Sequence, residues 1–224
     1  MRDEQFAALR QHMIAEIVAE AVFASPQLGK AALAREVLEV MGEVPRHEFV
    51  PVELQPVAYL NRPLPIGFGK TISQPFIVAL MTELLGVRPE DTVLEVGTGL
   101  GYQAAILARL ARKVYSVEIV EELAQQAKRR LARLANVELG VRNGYYGWPE
   151  HAPFDKVIVT AAPELIPPLL IQQLKPGGRM VIPAGLQEAQ QLLLVEKDPQ
   201  GRTTSKEILR VRFTMLEGTE PAAG

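Results

Sequence analysis

Hydrophobic residues recur every three or four positions in the first part of the chain, which is the spacing of one face of a helix. Over residues 4–23 they predict an amphipathic helix, which the segment SPQLGK breaks. Its apolar positions include Phe6, Leu9, Met13, Ile17 and Val22. A second helix is predicted over 31–41, and a third from Pro75 to about Leu85. Between these two, five prolines in residues 44–69 predict ordered loops and short turns.

From residue 92 onward, short β-branched runs alternate with helical segments. The predicted strands cover 92–96, 113–118, 136–141, 155–160 and 178–184. The predicted helices between them lie near 102–111, 120–134 and 164–174. This alternation predicts a parallel sheet covered by helices on both faces. Two further runs, 190–198 and 206–216, flank the turn PQGR and predict a terminal pair of antiparallel strands.

The composition excludes several classes of protein. The 224 residues carry a net charge of −2, which argues against a general nucleic-acid binder, since such proteins usually present a basic face. The sequence has no cysteine, so disulfides, thiolate metal sites and cysteine nucleophiles are excluded. The three histidines are scattered and no carboxylate cluster accompanies them, so no metal site is expected. No apolar run has the length of a signal-peptide core or a membrane span, so we expect a cytoplasmic protein without a membrane partner.

A glycine-rich turn follows the first strand of the predicted sheet. In VLEVGTGLGYQAA, the glycines Gly97, Gly99 and Gly101 lie between a strand and a helix, where open α/β sheets bind their ligands. A dinucleotide fingerprint would need its third glycine at the position of Tyr102. The observed spacing, with Glu95 ahead of the first glycine, is instead similar to motif I of S-adenosylmethionine-dependent methyltransferases. The Glu95 carboxylate could meet the ammonium group of that ligand, directly or through water.

An acidic residue, Glu118, ends the next strand about 20 residues after Gly97, where a carboxylate can bind both hydroxyls of a ribose. Ribose recognition does not separate NAD from S-adenosylmethionine, but the glycine spacing favours S-adenosylmethionine, with S-adenosylhomocysteine as the product. A second phosphate-binding candidate, Gly69-Lys70-Thr71, resembles the end of a P-loop. Leu64 stands where that pattern requires a glycine, so a P-loop is not expected.

Five segments of the chain form a set, in order and with consistent spacings. They are RPLPIGFGKTISQPFIVALMTELL, VLEVGTGLGYQAAILA, GYYGWPEHAPFDKVIVTAA, LIQQLKPGGRMVIPAG and VRFTML. Together, from about Val44 to Leu216, they resemble the protein-L-isoaspartate O-methyltransferases. The TISQP sequence is the most discriminating, because other methyltransferases lack it. The resemblance implies methyl transfer from S-adenosylmethionine to the α-carboxylate of L-isoaspartyl residues in damaged proteins and peptides, which begins their repair through a succinimide.

The fold that this resemblance implies is an α/β, doubly wound, mostly parallel sheet of the S-adenosylmethionine-dependent methyltransferase (Rossmann-like) type. The last two strands should have the altered order of the family. Within a single domain we expect three parts. Residues 1–75 should form an N-terminal helical and loop extension with the active-site lid, 76–184 the S-adenosylmethionine-binding core, and 185–224 the strands that complete the same sheet.

The resemblance also implies roles for individual residues. The donor-binding set is expected to comprise Thr71, Ile72, Glu95, Gly97, Thr98, Gly99, Gly101, Glu118, Asn143 and Gly144. Ser73, in the lid with Thr71 and Ile72, is expected beside the acceptor, where its hydroxyl can orient the carboxylate by a hydrogen bond. No general base is needed, since an α-carboxyl group has a reference pKa of about 3.5 and is ionised at neutral pH. The alternative is that Ser73 only caps the following helix.

Two amides stand where the family usually has acids. Asn143 occupies the position of an aspartate at the adenine edge, and Asn61 that of the aspartate in YxDxPLPIG. Near the end, RFTML replaces the usual RFVPL, so the preference for substrates could differ. Two alternatives stay open, and the change at Asn143 is the only feature that supports the second. One is another S-adenosylmethionine-dependent O-methyltransferase, and the other is a protein that binds the donor but has lost turnover.

Overall fold

The computed structural model describes residues 3–29 and 32–219, and its N-terminal part is mainly helical. In chain order this part contains α1 (Asp3–Leu28), α2 (Arg35–Glu43), two 3-10 helices (Arg46–Phe49 and Val52–Val57), a hairpin of β1 (Leu64–Gly67) and β2 (Lys70–Ile72), and α3 (Pro75–Leu85). The prolines of residues 44–69 therefore produce short turns, as predicted. No helix within the described ranges is both long and apolar enough to cross a membrane.

A seven-stranded sheet forms the centre of the molecule. Its elements are β3 (Thr92–Val96), α4 (Tyr102–Leu110), β4 (Lys113–Glu118), α5 (Glu121–Leu131), β5 (Val137–Val141), β6 (Phe154–Val159), α6 (Pro168–Gln172), β7 (Leu174–Ala184), β8 (Gln190–Lys197) and β9 (Thr203–Val211). The spatial order is β5-β4-β3-β6-β7-β8-β9. Strands β3 to β7 are parallel to their neighbours, whereas β8 pairs antiparallel with β7 and β9 antiparallel with β8. The predicted doubly wound sheet is confirmed.

The order of strands creates a ligand site at one edge of the sheet. The first strand of this sheet, β3, lies near its middle. The chain continues through β4 to β5 at one edge of the sheet, and then crosses back to add β6 on the other side of β3. The helices that follow β3 and β6 therefore leave a crevice at the carboxyl ends of these strands, which is where such sheets bind ligands. The carboxyl ends of β3 and β4 carry the glycine turn and Glu118, respectively.

The apolar residues of the sheet divide between two cores. On one face, Val93, Ile158 and Val181 pack in a cluster that includes buried residues of α1 to α5. On the other face, Leu94 and Val157 belong to a smaller cluster that Trp148 and α6 cover. The alternation of side chains along each strand thus buries both faces. The division of the chain at residues 75 and 184 stays a prediction.

Several element boundaries differ from those predicted. Helix α1 passes through Pro26 and ends at Leu28. The proline removes one backbone hydrogen bond, and it does so in the last turn, where few helical hydrogen bonds follow it. Helix α6 is much shorter than the predicted 164–174, since Pro167 and Pro168 disfavour helical backbone in the residues before them. Strand β9 ends at Val211, and the following residues form an irregular segment instead of more strand.

Candidate active site

A cavity of about 560 Å³ opens at the carboxyl ends of β3, β4 and β6. This volume lies in the range of small-molecule sites. Three parts of the chain surround it: the glycine turn after β3, the β1–β2 hairpin with the residues that follow it, and residues 210–217, which comprise the end of β9 and the segment after it. Of the predicted site residues, those that line this cavity are Thr71, Ser73, Gly97, Gly99, Glu118 and Gly144. Those outside its wall are Ile72, Glu95, Thr98, Gly101 and Asn143.

The glycine turn depends on a residue without a side chain at Gly97. Its φ of 97° lies in the left-handed region, and a Cβ there would collide with the hydroxyl of Thr160. That hydroxyl donates to the Gly97 carbonyl oxygen at 2.6 Å, and Thr160 also lines the cavity. Thr160 was not among the predicted site residues, although it follows β6 directly, at the same edge as the glycines.

The Glu118 carboxylate fixes the turn through backbone N–H groups. Its Oε2 accepts from Gly99 N at 2.8 Å, and its Oε1 accepts from Ile119 N and Val120 N at 2.9 and 3.0 Å. Glu118 is largely buried yet lines the cavity. One carboxylate therefore connects the glycine turn to the end of β4 and still faces the space where a ribose would lie.

A buried chain of hydrogen bonds lies behind the turn. The Ser116 hydroxyl donates to Glu95 Oε2, and it lies 2.5 Å from the Thr98 hydroxyl. Glu95 is completely buried, and this burial raises the pKa of its carboxyl group from 4.5 to about 8. Its Oε1 has no hydrogen-bond partner among the residues that the structure describes. Ser116 was not predicted, although a serine between Tyr115 and Val117 in β4 was a signal for a buried polar contact.

The β1–β2 hairpin brings the lid residues to the cavity. Thr71 and Ser73 contact it, whereas Ile72 is buried and contacts a smaller neighbouring cavity of about 50 Å³. The N-cap of α3 is Gln74, whose own side chain makes no capping hydrogen bond, and Phe76 N in the first turn donates to Asn61 Oδ1 at 3.0 Å. Within the described part of the chain the Ser73 side chain has no hydrogen-bond partner, so the alternative that Ser73 caps α3 is not supported.

Asn143 and Gly144 follow β5 at the rim of the cavity. The Asn143 side chain accepts from Tyr145 N through Oδ1 and donates to the Thr219 carbonyl oxygen through Nδ2, both at 3.0 Å. Gly144 packs so closely against Val96 and Leu216 that a Cβ would overlap with Val96. Asn143 thus joins the end of the chain to the rim, while Gly144 forms part of the cavity wall.

The segment 212–219 covers the cavity from the opposite side. Met215 pairs with Ala162 in an isolated parallel bridge, which places residues 213–216 along the wall. Lys70 of the hairpin forms an ion pair of 2.5 Å with Glu217. None of these wall residues was in the predicted site. The only signal for them was the resemblance near the end of the chain, where RFTML replaces the family's usual RFVPL.

The residues present fit S-adenosylmethionine. The glycine turn leaves open space beside the Glu118 carboxylate, as a ribose requires, and the buried Glu95 Oε1 behind the turn has no hydrogen-bond partner among the described residues. Residues 3–29 and 32–219 contain no group of three or more His, Cys, Asp or Glu residues placed to hold a metal ion.

Comparisons with known proteins show the family of this chain. The family model described as Protein-L-isoaspartate(D-aspartate) O-methyltransferase (PCMT) matches residues 18–221. Protein-L-isoaspartate O-methyltransferase 1 of Polaromonas sp. (strain JS666) is 64% identical, over 99% of this chain and 94% of the relative. The enzyme of the same name from Cupriavidus necator is 58% identical, over 96% of this chain and 85% of the relative.

Solved structures show the same fold. A protein-L-isoaspartate O-methyltransferase superposes with a TM-score of 0.78 at 29% identity, over 93% of this chain and 66% of the solved chain. A protein of Plasmodium falciparum, solved in complex with S-adenosyl-L-homocysteine, gives a TM-score of 0.72 at 23% identity, over 82% of this chain and 91% of that one. From the matched family and these close relatives, we conclude that the chain belongs to the protein-L-isoaspartate O-methyltransferase family of S-adenosylmethionine-dependent protein-repair enzymes.

Proposed function

We propose that the cavity is the place where this enzyme methylates the α-carboxylate of L-isoaspartyl residues in damaged proteins and peptides, and that Ser73 orients this carboxylate. One observation carries the proposal: the cavity has Glu118 and the glycine turn on one wall and Ser73 on another. A donor on the first wall and an acceptor beside the second would therefore meet in one enclosed space.

The donor side is formed by the glycine turn, Glu118 and Gly144. Glu118 would accept from the ribose hydroxyls while it holds the turn, and Gly144 forms part of the wall on the side proposed for the adenine. Thr98 and Glu95, behind the turn, support it from the buried side. When bound, S-adenosylmethionine supplies a methyl group on a sulfonium, which is an activated leaving group.

The acceptor side has to align a nucleophile and does not have to deprotonate it. An α-carboxyl group with a reference pKa of about 3.5 is already ionised at neutral pH. The residues described as lining the cavity include no histidine, and the Glu118 carboxylate is occupied by three backbone N–H groups. The Ser73 hydroxyl can donate to one oxygen of the acceptor and leave the other free to attack. Such alignment can lower a barrier by on the order of 7–11 kcal/mol.

The partners follow from this chemistry. The acceptors are proteins and peptides that carry isoaspartyl residues, and the product ester closes to a succinimide without help from the enzyme. A cytoplasmic location and the absence of nucleic-acid and membrane partners stay predictions from the sequence.

A matched pair of peptides tests the proposal. One peptide contains an L-isoaspartyl residue and its twin has a normal aspartyl residue at the same position. With radiolabelled S-adenosylmethionine, we expect transfer to the isoaspartyl peptide and release of labelled methanol as the ester closes, with no transfer to the twin. Equal labelling of both peptides would show a different O-methyltransferase. Binding of S-adenosylhomocysteine without any transfer would show a protein that has lost turnover.

A further inference from the structure

Arg46 is a buried cation for which the proposed reaction has no direct use. It begins the first 3-10 helix and is completely buried. No carboxylate lies within ion-pair distance of it in the described ranges. Burial lowers the pKa of its guanidinium to about 10, so the group stays charged at neutral pH. Burying a charge without a charged partner is unfavourable, and an apolar side chain of similar size would avoid that cost.

The hydrogen bonds of Arg46 join the two ends of the segment 58–73, which contains the β1–β2 hairpin and the lid residues Thr71 to Ser73. Its Nε donates to the Ala58 carbonyl oxygen at 2.7 Å, and its Nη2 donates to the Ser73 carbonyl oxygen at 2.8 Å. Ala58 lies before the β1–β2 hairpin and Ser73 lies directly after it. A planar guanidinium donates in several fixed directions at once, which an apolar residue or a lysine cannot reproduce.

The same side chain also contacts the residue that directly follows the glycine turn, Tyr102. The guanidinium carbon of Arg46 lies 5.0 Å from the centre of the Tyr102 ring, within the range of a cation–π contact. Tyr102 is buried and is the first residue of α4, directly after the last glycine of the turn. Arg46 therefore joins three places: the start of the segment 58–73, its end at Ser73, and the end of the glycine turn.

We propose that Arg46 is a positioning residue for methyl transfer, which fixes the main chain at Ser73 relative to the glycine turn so that the Ser73 hydroxyl faces the acceptor. This inference rests on the proposed function of the cavity. Arg46 itself does not touch the cavity, so it acts through the backbone of Ser73. Because a displacement of about 1 Å in an aligned site can cost about 100-fold in rate, loss of this tie should lower kcat strongly.

The test compares Arg46→Met with a matched change, Arg130→Met. Arg130 also donates to a backbone carbonyl of the first 3-10 helix, that of Glu48, but it does not contact the lid. For Arg46→Met we expect kcat on an isoaspartyl peptide to fall about 100-fold. The Kd of Arg46→Met for S-adenosylhomocysteine should stay within about threefold of that of the unaltered enzyme, since neither Arg46 nor Ser73 belongs to the proposed donor side of the cavity. Arg130→Met should have the kcat of the unaltered enzyme.

Chemical rescue separates positioning from a general loss of stability. In Arg46→Ala, free guanidinium at a concentration well below that which unfolds the protein should restore part of the lost kcat, and it should not restore Ser73→Ala. Arg46→Lys should have an intermediate kcat.

If Arg46→Met does not fold, the kcat of Arg46→Lys and the rescue of Arg46→Ala test the inference instead. An unchanged kcat in a folded Arg46→Met, a wild-type kcat in Arg46→Lys, or no rescue of Arg46→Ala would overturn the inference. If the unaltered enzyme is itself inactive on the isoaspartyl peptide, the proposed function is wrong. This result differs from an active enzyme whose kcat does not depend on Arg46, which would contradict only the inference about Arg46.

Discussion

At the scale of single residues, the Glu118 carboxylate has two tasks in the cavity wall. It accepts three backbone N–H groups, one of them from the glycine turn, and it faces the proposed ribose position. A neutral amide of the same shape keeps one carbonyl acceptor and introduces an NH₂ group, which would face N–H donors. The charge of Glu118 therefore matters for the shape of the turn as well as for the ligand.

The change Glu118→Gln should weaken binding of S-adenosylhomocysteine. Hydrogen bonds to a charged group contribute about 1.5–3 kcal/mol, so we expect a loss of affinity of about 10- to 100-fold by titration calorimetry. Glu36→Gln, the same change on the exposed face of α2, serves as the control and should bind like the unaltered protein. Wild-type affinity in Glu118→Gln would remove this residue from the donor site.

Glu95 makes the stability of the protein depend on pH. Its carboxyl group has a pKa of about 8 in the folded protein against 4.5 ordinarily, so the folded state holds a proton that the unfolded chain has lost between these values. The contribution of the protonated Glu95 side chain to the free energy of unfolding is complete below about pH 4.5 and is lost as the pH rises through about 8. In this window the free energy of unfolding should fall with rising pH by on the order of 1 kcal/mol per unit.

Urea unfolding from pH 5 to pH 8 in Glu95→Gln measures this contribution. The variant cannot ionise at this position, so its free energy of unfolding should fall less steeply with pH than that of the unaltered protein. Glu53→Gln, an exposed change in the second 3-10 helix, should keep the original slope. Identical slopes in all three proteins would mean that Glu95 is ionised in the folded state.

The residues that the sequence could predict are those whose type is tied to a local turn. Gly97 and Glu118 could be predicted from the strand–turn–helix pattern. The turn requires a residue without a side chain at position 97, and Glu118 lies at the end of a strand, where ligands bind. Ser116 and Thr160 could not be assigned in this way, because their roles depend on which strands become neighbours. Only the pairing of β3 with β4 and with β6 brings them to the turn.

At the scale of elements, the entry to α3 is held by a cluster of polar side chains. Asn61 accepts from Phe76 N through Oδ1 at 3.0 Å and donates to Glu20 of α1 through Nδ2 at 2.6 Å. Gln74 also donates to the Glu20 carboxylate. The family aspartate that Asn61 replaces would place a second carboxylate directly against Glu20. The amide at position 61 is therefore matched to the acid in α1.

The change Asn61→Asp should destabilise the protein by about 1–3 kcal/mol, because it removes a donor to a carboxylate and adds a like charge. A double-mutant cycle with Glu20→Gln checks the cause by urea unfolding at pH 8. In the Glu20→Gln background the amide at position 20 can donate to the carboxylate introduced at position 61, so the cost of Asn61→Asp should largely disappear. Equal costs in both backgrounds would show that the two side chains are not coupled.

Elements were predictable where the pattern of apolar residues was long and regular. The strands of the parallel sheet and the helix from Pro75 to Leu85 lie where the sequence indicated. The pattern failed at proline-rich ends: it broke α1 too early and extended α6 across Pro167. The spacing of apolar residues does not distinguish a proline in the last turn of a helix, such as Pro26 in α1, from a proline that delays the start of a helix, such as Pro167 before α6.

At the scale of the whole molecule, segments from both ends of the chain enclose the cavity. The described N-terminal elements hold the lid from one side through Arg46, Glu20 and Asn61. Residues 212–219 cover the cavity from the other side, and the ion pair between Lys70 and Glu217 joins the two. These contacts span most of the sequence, so spacing could not reveal them; only the family resemblance pointed to the last strand.

The central claim is that the reaction depends on alignment by Ser73 and needs no base. It is tested most directly by the kcat of Ser73→Ala on an isoaspartyl peptide, measured beside its Kd for S-adenosylhomocysteine. Because the lost hydrogen bond goes to a charged carboxylate, we expect kcat to fall about 10- to 100-fold while the Kd stays unchanged. Ser205→Ala, on the exposed part of β9, should behave like the unaltered enzyme. A kcat of Ser73→Ala equal to that of the unaltered enzyme would contradict the account.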